Sequence, residues 1–153
     1  MSQIRETLKK SMKDAMIAKQ SGRLTIIRMI LAKIKDADIA GRTKGIENGI
    51  SDSDILSLLQ NMIKQRVESA RMYTEGNRPE LAETENTEIA IITEYLPEQL
   101  SQDEIAKIVT DTITQMGASS MADMGKVMGQ IKSKYAGTLD MGLASKLIKD
   151  ALS

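Results

Sequence analysis

Histidine and cysteine are both absent from the chain, which removes most of the side chains that could carry a reaction. Without imidazole or thiol there is no Ser-His-type triad, no thiol nucleophile, no structural zinc site and no disulfide framework. A general base would have to be Asp, Glu, Lys or Tyr with a shifted pKa. The carboxylates nearest to a cluster are Glu80, Glu83, Glu85 and Glu88. On a helix they form two neighbouring pairs with no Asp-x-Asp-x-Asp-Gly loop beside them, so they read as a solvated or salt-bridged face and not as a cation site. Gly125-Lys126-Val127-Met128-Gly129 has the composition of a phosphate loop. It lacks the preceding strand and the Lys-Ser/Thr after the last glycine. Within a helical pattern these glycines read as positions where another helix approaches closely, because an interior glycine costs about 1 kcal/mol and needs a packing reason. No metal and no cofactor is expected, and the chain reads as a binding module rather than a self-sufficient enzyme.

Charge is what remains for chemistry. The chain carries 21 basic and 21 acidic residues, but residues 1–50 hold 11 basic and 5 acidic groups, residues 51–100 hold 4 and 10, and residues 101–153 hold 6 and 6. The basic first third either packs beside the acidic middle or faces an anion such as RNA. Arg28, Lys35 and Arg42 are spaced seven apart, and because a seven-residue step nearly completes two helical turns they line one stripe, either a solvated face or an anion surface. Lys64-Gln65-Arg66, Arg71 and Arg78 sit among acids. They either pair with Glu68, Glu75, Glu85 or Glu88 to fix a helix hairpin or contact phosphate through bidentate hydrogen bonds.

These groups must be positioned by helices. Ile4, Leu8, Met12 and Ala15/Met16 recur at helical spacing and predict a first helix from about Ser2 to Lys19. Gly22 permits a reversal, and Leu24, Ile27, Leu31 and Ile34 mark a second helix to about Ala40. Gly41, Gly45 and Gly49 punctuate an exposed loop, and Ser51 with Asp52 and Asp54 caps a long third helix ended by Gly76. Pro79 opens a fourth helix whose inward side is Leu81, Ile89, Ile92, Tyr95 and Leu96, and Pro97 interrupts it. Ser101 and Glu104 form a capping box for a fifth helix ending at Gly117; Ser120 with Asp123 starts a sixth, closed by Gly137; Asp140 caps a last one with Leu143, Leu147 and Ala151 inward. No stretch alternates with period two, so no strand is expected. The expected architecture is all-α in two subdomains, a four-helix unit over 1–96 and a three-helix unit over 97–153. Most of the eleven methionines fall on these inward stripes, where a chain with no Phe or Trp uses methionine as gap-filler. The N-terminus alternates apolar and charged residues, which reads as neither a signal peptide nor a membrane span, and the expected setting is the cytoplasm, away from membranes.

The run Lys64-Gln65-Arg66 through Gly76-Asn77-Arg78-Pro79-Glu80-Leu81-Ala82, then Glu94-Tyr95-Leu96-Pro97-Glu98-Gln99-Leu100, then Gly117-Ala118-Ser119-Ser120-Met121-Ala122-Asp123-Met124 on to Gly129 resembles the GatB/YqeY family over essentially the whole chain. That resemblance implies two all-α subdomains. It also implies kinship with the tail of the B subunit of the tRNA-dependent amidotransferase, which converts Glu or Asp charged on tRNA to Gln or Asn, and whose tail grips tRNA. The stretch Val127 to Lys132, with Gly137 eight residues beyond Gly129, is the most similar part. Lys126, Lys132 and Lys134 are the phosphate contacts the resemblance implies, with Arg28, Lys35, Arg66 and Arg78 as further nucleic-acid-binding candidates. The chain departs from the family pattern at Ala136 and Thr138, where basic residues are expected, and fewer cations release fewer counterions.

The leading expectation is therefore a tRNA-binding module, accessory to tRNA-dependent amidotransfer and acting without a cofactor. With three Tyr as its only aromatics, it would read RNA shape and phosphates rather than stack bases. An alternative is a protein-interaction module that docks on an amidotransferase or aminoacyl-tRNA synthetase subunit. A third is a carbon–nitrogen ligase activity with glutamine as amido donor, exercised only within a larger assembly.

Overall fold

A computed structural model describes residues 3–153. It contains seven α-helices and one short 3-10 turn, with no strand among the described residues. The chain divides into two compact units, Met1–Leu96 and Pro97–Ser153.

The first unit holds α1 (Gln3–Ile17), α2 (Ser21–Arg42), α3 (Asp52–Glu75) and α4 (Pro79–Thr93). The expected start of α1 at Ser2 lies outside the described residues. Leu8, Ile26, Ile30, Ile34, Ile55, Leu59, Met62 and Ile92 form the buried core, one stripe from each helix. Burying each such side chain contributes about 1.5–3 kcal/mol, so packing of these stripes, more than intrinsic propensity, holds the helices. Ser51 caps α3 as its type predicts, its Oγ accepting from the Asp54 N–H at 3.1 Å. α4 ends at Thr93, short of Leu96. Tyr95 and Leu96 still pack on the core, from the turn that follows the helix. The residue before a proline avoids helical geometry, and here that restriction acts together with unwinding of the preceding turn.

Four helix ends are closed in the same way, and two differ from what residue type alone predicts. In each, one N–H reaches back across the last turn to a carbonyl five residues earlier: Gln20 to Ala15 at 2.9 Å, Ile46 to Gly41 at 3.0 Å, Arg78 to Tyr73 at 2.7 Å and Ala118 to Ile113 at 3.1 Å. This closure places the residue just before that donor in the left-handed region. The residues so placed are Lys19, Gly45, Asn77 and Gly117, with φ of 58°, 86°, 58° and 64°. The first reversal is thus made at Lys19 and not at Gly22, which lies within the first turn of α2. At the end of α3 the left-handed residue is Asn77; Gly76 has φ −82°. Gly41 belongs to α2 rather than to the following loop, and it is buried against Ile46 at 3.4 Å from where a Cβ would stand.

The second unit holds α5 (Gln102–Met116), a 3-10 turn (Met121–Asp123), α6 (Met124–Tyr135) and α7 (Met141–Leu152). Ile105, Val109, Val127, Ile131, Leu139, Ala144, Ile148 and Leu152 make its core. The capping box at Ser101 and Glu104 is formed in both directions. Asp140 caps α7, its Oδ1 accepting from the N–H groups of Gly142 at 2.9 Å and Leu143 at 3.2 Å. The inward stripe of α7 is displaced by one position from the expected one: Ala144, Ile148 and Leu152 are buried, Leu143 and Leu147 are half-buried, and Ala151 is exposed. Among the described residues, no helix is long and apolar enough to cross a membrane.

Candidate nucleic-acid interface

Helix α6 carries the three lysines to which the family resemblance points. Val127 and Ile131 are fully buried and fix the inward side of the helix, so its outward side is set by elimination. Lys126, Lys132 and Lys134 are all exposed there, as are Gly125, Gly129, Gln130 and Ser133. At 3.6 residues per turn, Lys126 and Lys132 lie about 120° apart with Gly125 and Gly129 between them, and Lys134 lies on the other side of Lys126. The arrangement is a glycine strip edged by cations rather than a single row of lysines. A Cβ added at Gly125 or Gly129 would meet nothing within 4 Å. The expectation that these glycines admit a neighbouring helix is therefore corrected: within the second unit their backbone faces open space.

The N-terminus of this segment is already occupied by its own acid. The Asp123 carboxylate accepts from the Ser119 N–H at 3.0 Å and the Ser120 N–H at 3.4 Å. Those bonds, and then the nearby Lys126 charge, hold its pKa below the usual aspartate range. Its negative charge sits at the start of α6, the end at which a helix otherwise attracts anions. At the other end, Gly137 is buried with φ 77°. Its carbonyl accepts from Gln99 Nε2 at 2.6 Å, and the Thr138 carbonyl accepts from the Leu100 N–H at 2.6 Å. Ala136 and Thr138, where the resemblance led us to expect cations, are both half-buried in a segment tied to Gln99 and Leu100.

In the first unit, Arg28 and Lys35 share one exposed face of α2 with Arg42, all within about 40° around the helix axis. Arg66 and Arg78 sit differently. Arg66 is largely buried, its Nε donating to Glu88 Oε2 at 3.0 Å, with Met62 O and Met29 Sδ also in reach of the guanidinium at 3.2 and 2.7 Å. It fastens α3 to α4 and α2. Arg78 donates to Glu80 at 2.8 Å, and Arg71 pairs with Glu68 and Glu75 on its own helix. The acidic run is spent in part on these partners, Glu80 and Glu88 being engaged. Among the described residues, no three acidic groups come close enough to hold a metal.

Sequence reading passed over two features. Arg5 of α1 grips Asp38 of α2; nothing in their spacing marks them as partners. An open groove of about 340 Å³ between α2 and α3 is bordered by Lys33, Ser57, Asn61 and Gln65. Its signal was present as polar residues at helical spacing beside the apolar stripe of α3, but such a row is also what any solvated helix face looks like.

Taken together, helices alone, two compact units and charged groups displayed on exposed helix flanks define a small all-helical protein with its polar chemistry on its surface. The chain belongs to the YqeY family, described as Yqey-like protein, which matches residues 5–152. Among curated relatives, the protein named Altered inheritance of mitochondria protein 41, mitochondrial, of Clavispora lusitaniae is 34% identical over 147 residues, 94% of this chain and 81% of the relative. The protein of the same name in Meyerozyma guilliermondii is 28% identical over 141 residues, 88% of this chain and 71% of the relative. That of Saccharomyces cerevisiae is 27% identical over 132 residues, 83% and 69%. These names overturn the expectation of a cytoplasmic protein, since the relatives are named as mitochondrial. A charged helical surface suits any aqueous compartment, so composition could not have distinguished them.

Proposed function

We propose that this chain is a stand-alone YqeY-like module that binds tRNA, acts as an accessory to tRNA-dependent amidotransfer and has no complete catalytic site of its own. Its two compact units serve as a four-helix and a three-helix subdomain, and the three-helix one carries the principal RNA surface. The observation behind this reading is the flank of α6, where Gly125 and Gly129 leave the backbone open between Lys126 and Lys132. A helix flank without side chains lets a sugar-phosphate backbone come close, and cations at its edges neutralise phosphates and release counterions. Arg28 and Lys35 on α2 provide a second, weaker positive stripe. In the paired arginines Arg66 and Arg78 we see fold-holding groups that add little to RNA affinity. Catalysis of the amidation step lies with an amidotransferase or aminoacyl-tRNA synthetase partner.

Filter binding of bulk tRNA to the purified chain tests the reading. Retention that weakens steeply as salt rises supports it; no retention at low salt removes it. Formation of amidated aminoacyl-tRNA by the purified chain alone, with glutamine as donor, would replace the accessory role with an enzymatic one.

A further inference from the structure

The chain has four asparagines, Asn48, Asn61, Asn77 and Asn86. An asparagine side chain can cyclise when the backbone nitrogen of the next residue attacks its Cγ and Nδ2 leaves as ammonia. The attacking nitrogen must be free of hydrogen bonds, and a side chain on its residue crowds the ring; glycine has none. At three of the four positions the nitrogen is committed. Asn61 and Asn86 lie inside α3 and α4, where the following N–H donates to the carbonyl four residues before it. Asn77 is followed by Arg78, whose N–H donates to the Tyr73 carbonyl at 2.7 Å. Asn48 alone precedes a glycine. It is exposed, in irregular backbone between α2 and α3, and neither its carboxamide nor the Gly49 N–H bonds to a described residue. Residues 47 and 48 make no hydrogen bond to a described residue either, so the chain can turn about Asn48 until the nitrogen meets Cγ.

Just beyond, the backbone is held tightly. The Ile50 N–H donates to Asp38 and its carbonyl accepts from Arg5, and Gly49 lies so near the same pair that a Cβ there would collide with the Arg5 guanidinium. Loss of ammonia leaves a five-membered imide, which water opens at either carbonyl. One opening gives aspartate on an unaltered backbone. The other gives isoaspartate, whose main chain runs through the side-chain methylene and is longer by one carbon. The balance is asparagine and water to acid and ammonia, with nothing oxidised or reduced. We propose that Asn48 is a modification site, converted by spontaneous deamidation to aspartate and isoaspartate, and that the lengthened isoaspartyl backbone draws Ile50 off the Arg5–Asp38 pair and loosens the start of α3.

Incubation of the full chain at neutral pH and physiological temperature, with timed samples digested and sequenced by mass spectrometry, tests the site. Deamidation at Asn48 should run about tenfold faster than at Asn61, Asn77 or Asn86, each of which must first give up a backbone hydrogen bond. Comparable rates at the four positions would overturn the proposal. Its consequence is read by urea unfolding of the isoaspartyl form, separated from the unaltered chain by ion exchange. That form should unfold at lower urea than the fresh parent. Freshly made Asn48→Asp, which carries the same charge on an ordinary backbone, and Asn48→Gln kept for the same time should both unfold where the fresh parent does. An isoaspartyl form as stable as the parent, or an equal loss in the aged Asn48→Gln variant, would also overturn it.

Discussion

Arg5 and Asp38, 33 residues apart, meet through two parallel hydrogen bonds, Nη1 to Oδ2 at 2.8 Å and Nη2 to Oδ1 at 2.7 Å. The pair also clasps the start of α3: Asp38 Oδ1 accepts from the Ile50 N–H at 2.8 Å and Arg5 Nη2 donates to the Ile50 carbonyl at 3.1 Å. Three segments of the first unit thus converge on one charge-assisted knot, with the two side chains only 25% and 19% exposed. The Arg5 hydrogen bond is the largest influence on the Asp38 carboxyl and, with the Ile50 N–H and the Arg5 and Arg42 charges, holds it below the usual aspartate range, although burial, the second largest, opposes this.

The sign of the pH effect follows. A carboxyl with a depressed folded pKa binds its proton less readily in the folded state than in the unfolded one. Its contribution to stability is complete above the unfolded pKa, about 4, and is lost as pH falls through the lower folded value. Asp38→Asn should therefore cost about 1–2 kcal/mol at neutral pH. Urea unfolding across acidic pH should show a shallower loss of stability for the variant than for the parent, and parallel curves would count against the knot.

Gly49 is the residue that lets the loop lie on this knot. It has φ +87°, and a Cβ there would stand 2.9 Å from Arg5 Nη2 and 3.0 Å from Asp38 Oδ1. Gly49→Ala combines left-handed strain with displacement of the ion pair, so a loss of about 2 kcal/mol is expected from the same unfolding measurement. A neutral result would mean that the loop moves away at no cost.

Lys19 predicts a change of the opposite sign. It occupies the left-handed position closing α1, φ 58°, where a side chain costs about 1 kcal/mol or more. Lys19→Gly relieves that strain while making the unfolded chain freer, leaving a net gain of about 0.5 kcal/mol. The thermal midpoint should rise slightly; a fall would show that the lysine stem packs on the surface to more effect than its strain.

Helix existence is legible in this chain wherever apolar spacing and a cap agree. Ser51 before Ile55 and Leu59, Ser101 with Glu104 before Ile105 and Val109, and Asp140 before α7 each mark a start at which the structure forms the expected hydrogen bond. Helix ends are legible at Gly76 and Gly117, which cap α3 and α5 as expected; which residue turns left-handed is less so. Lys19 and Asn77 take that role although Gly22 and Gly76 stand nearby. The candidate surface divides along the same line. Spacing is enough to put Arg28 and Lys35 on one face. Whether an arginine is spent on a carboxylate depends on a neighbouring helix, as Arg66 with Glu88 shows. Gly125 and Gly129 are the sharpest case: only the fold reveals that their flank is uncovered.

Substitution of those two glycines separates stability from binding. Gly125→Ala and Gly129→Ala each meet open space, so each should stabilise α6 by about 0.5–1 kcal/mol through helix propensity. If an RNA backbone approaches this flank, the same methyl groups should weaken tRNA retention. A more stable protein with unchanged tRNA affinity would remove the glycine strip from the interface.

The most direct test of the tRNA reading is the salt dependence of tRNA affinity for the parent chain and for a Lys126→Glu/Lys132→Glu/Lys134→Glu variant of unchanged helicity. The account predicts that the parent's affinity falls with salt as a power law, and that the variant binds more weakly with a slope smaller in magnitude by about two to three, one unit for each lost phosphate contact. Equal slopes for the two proteins would contradict it.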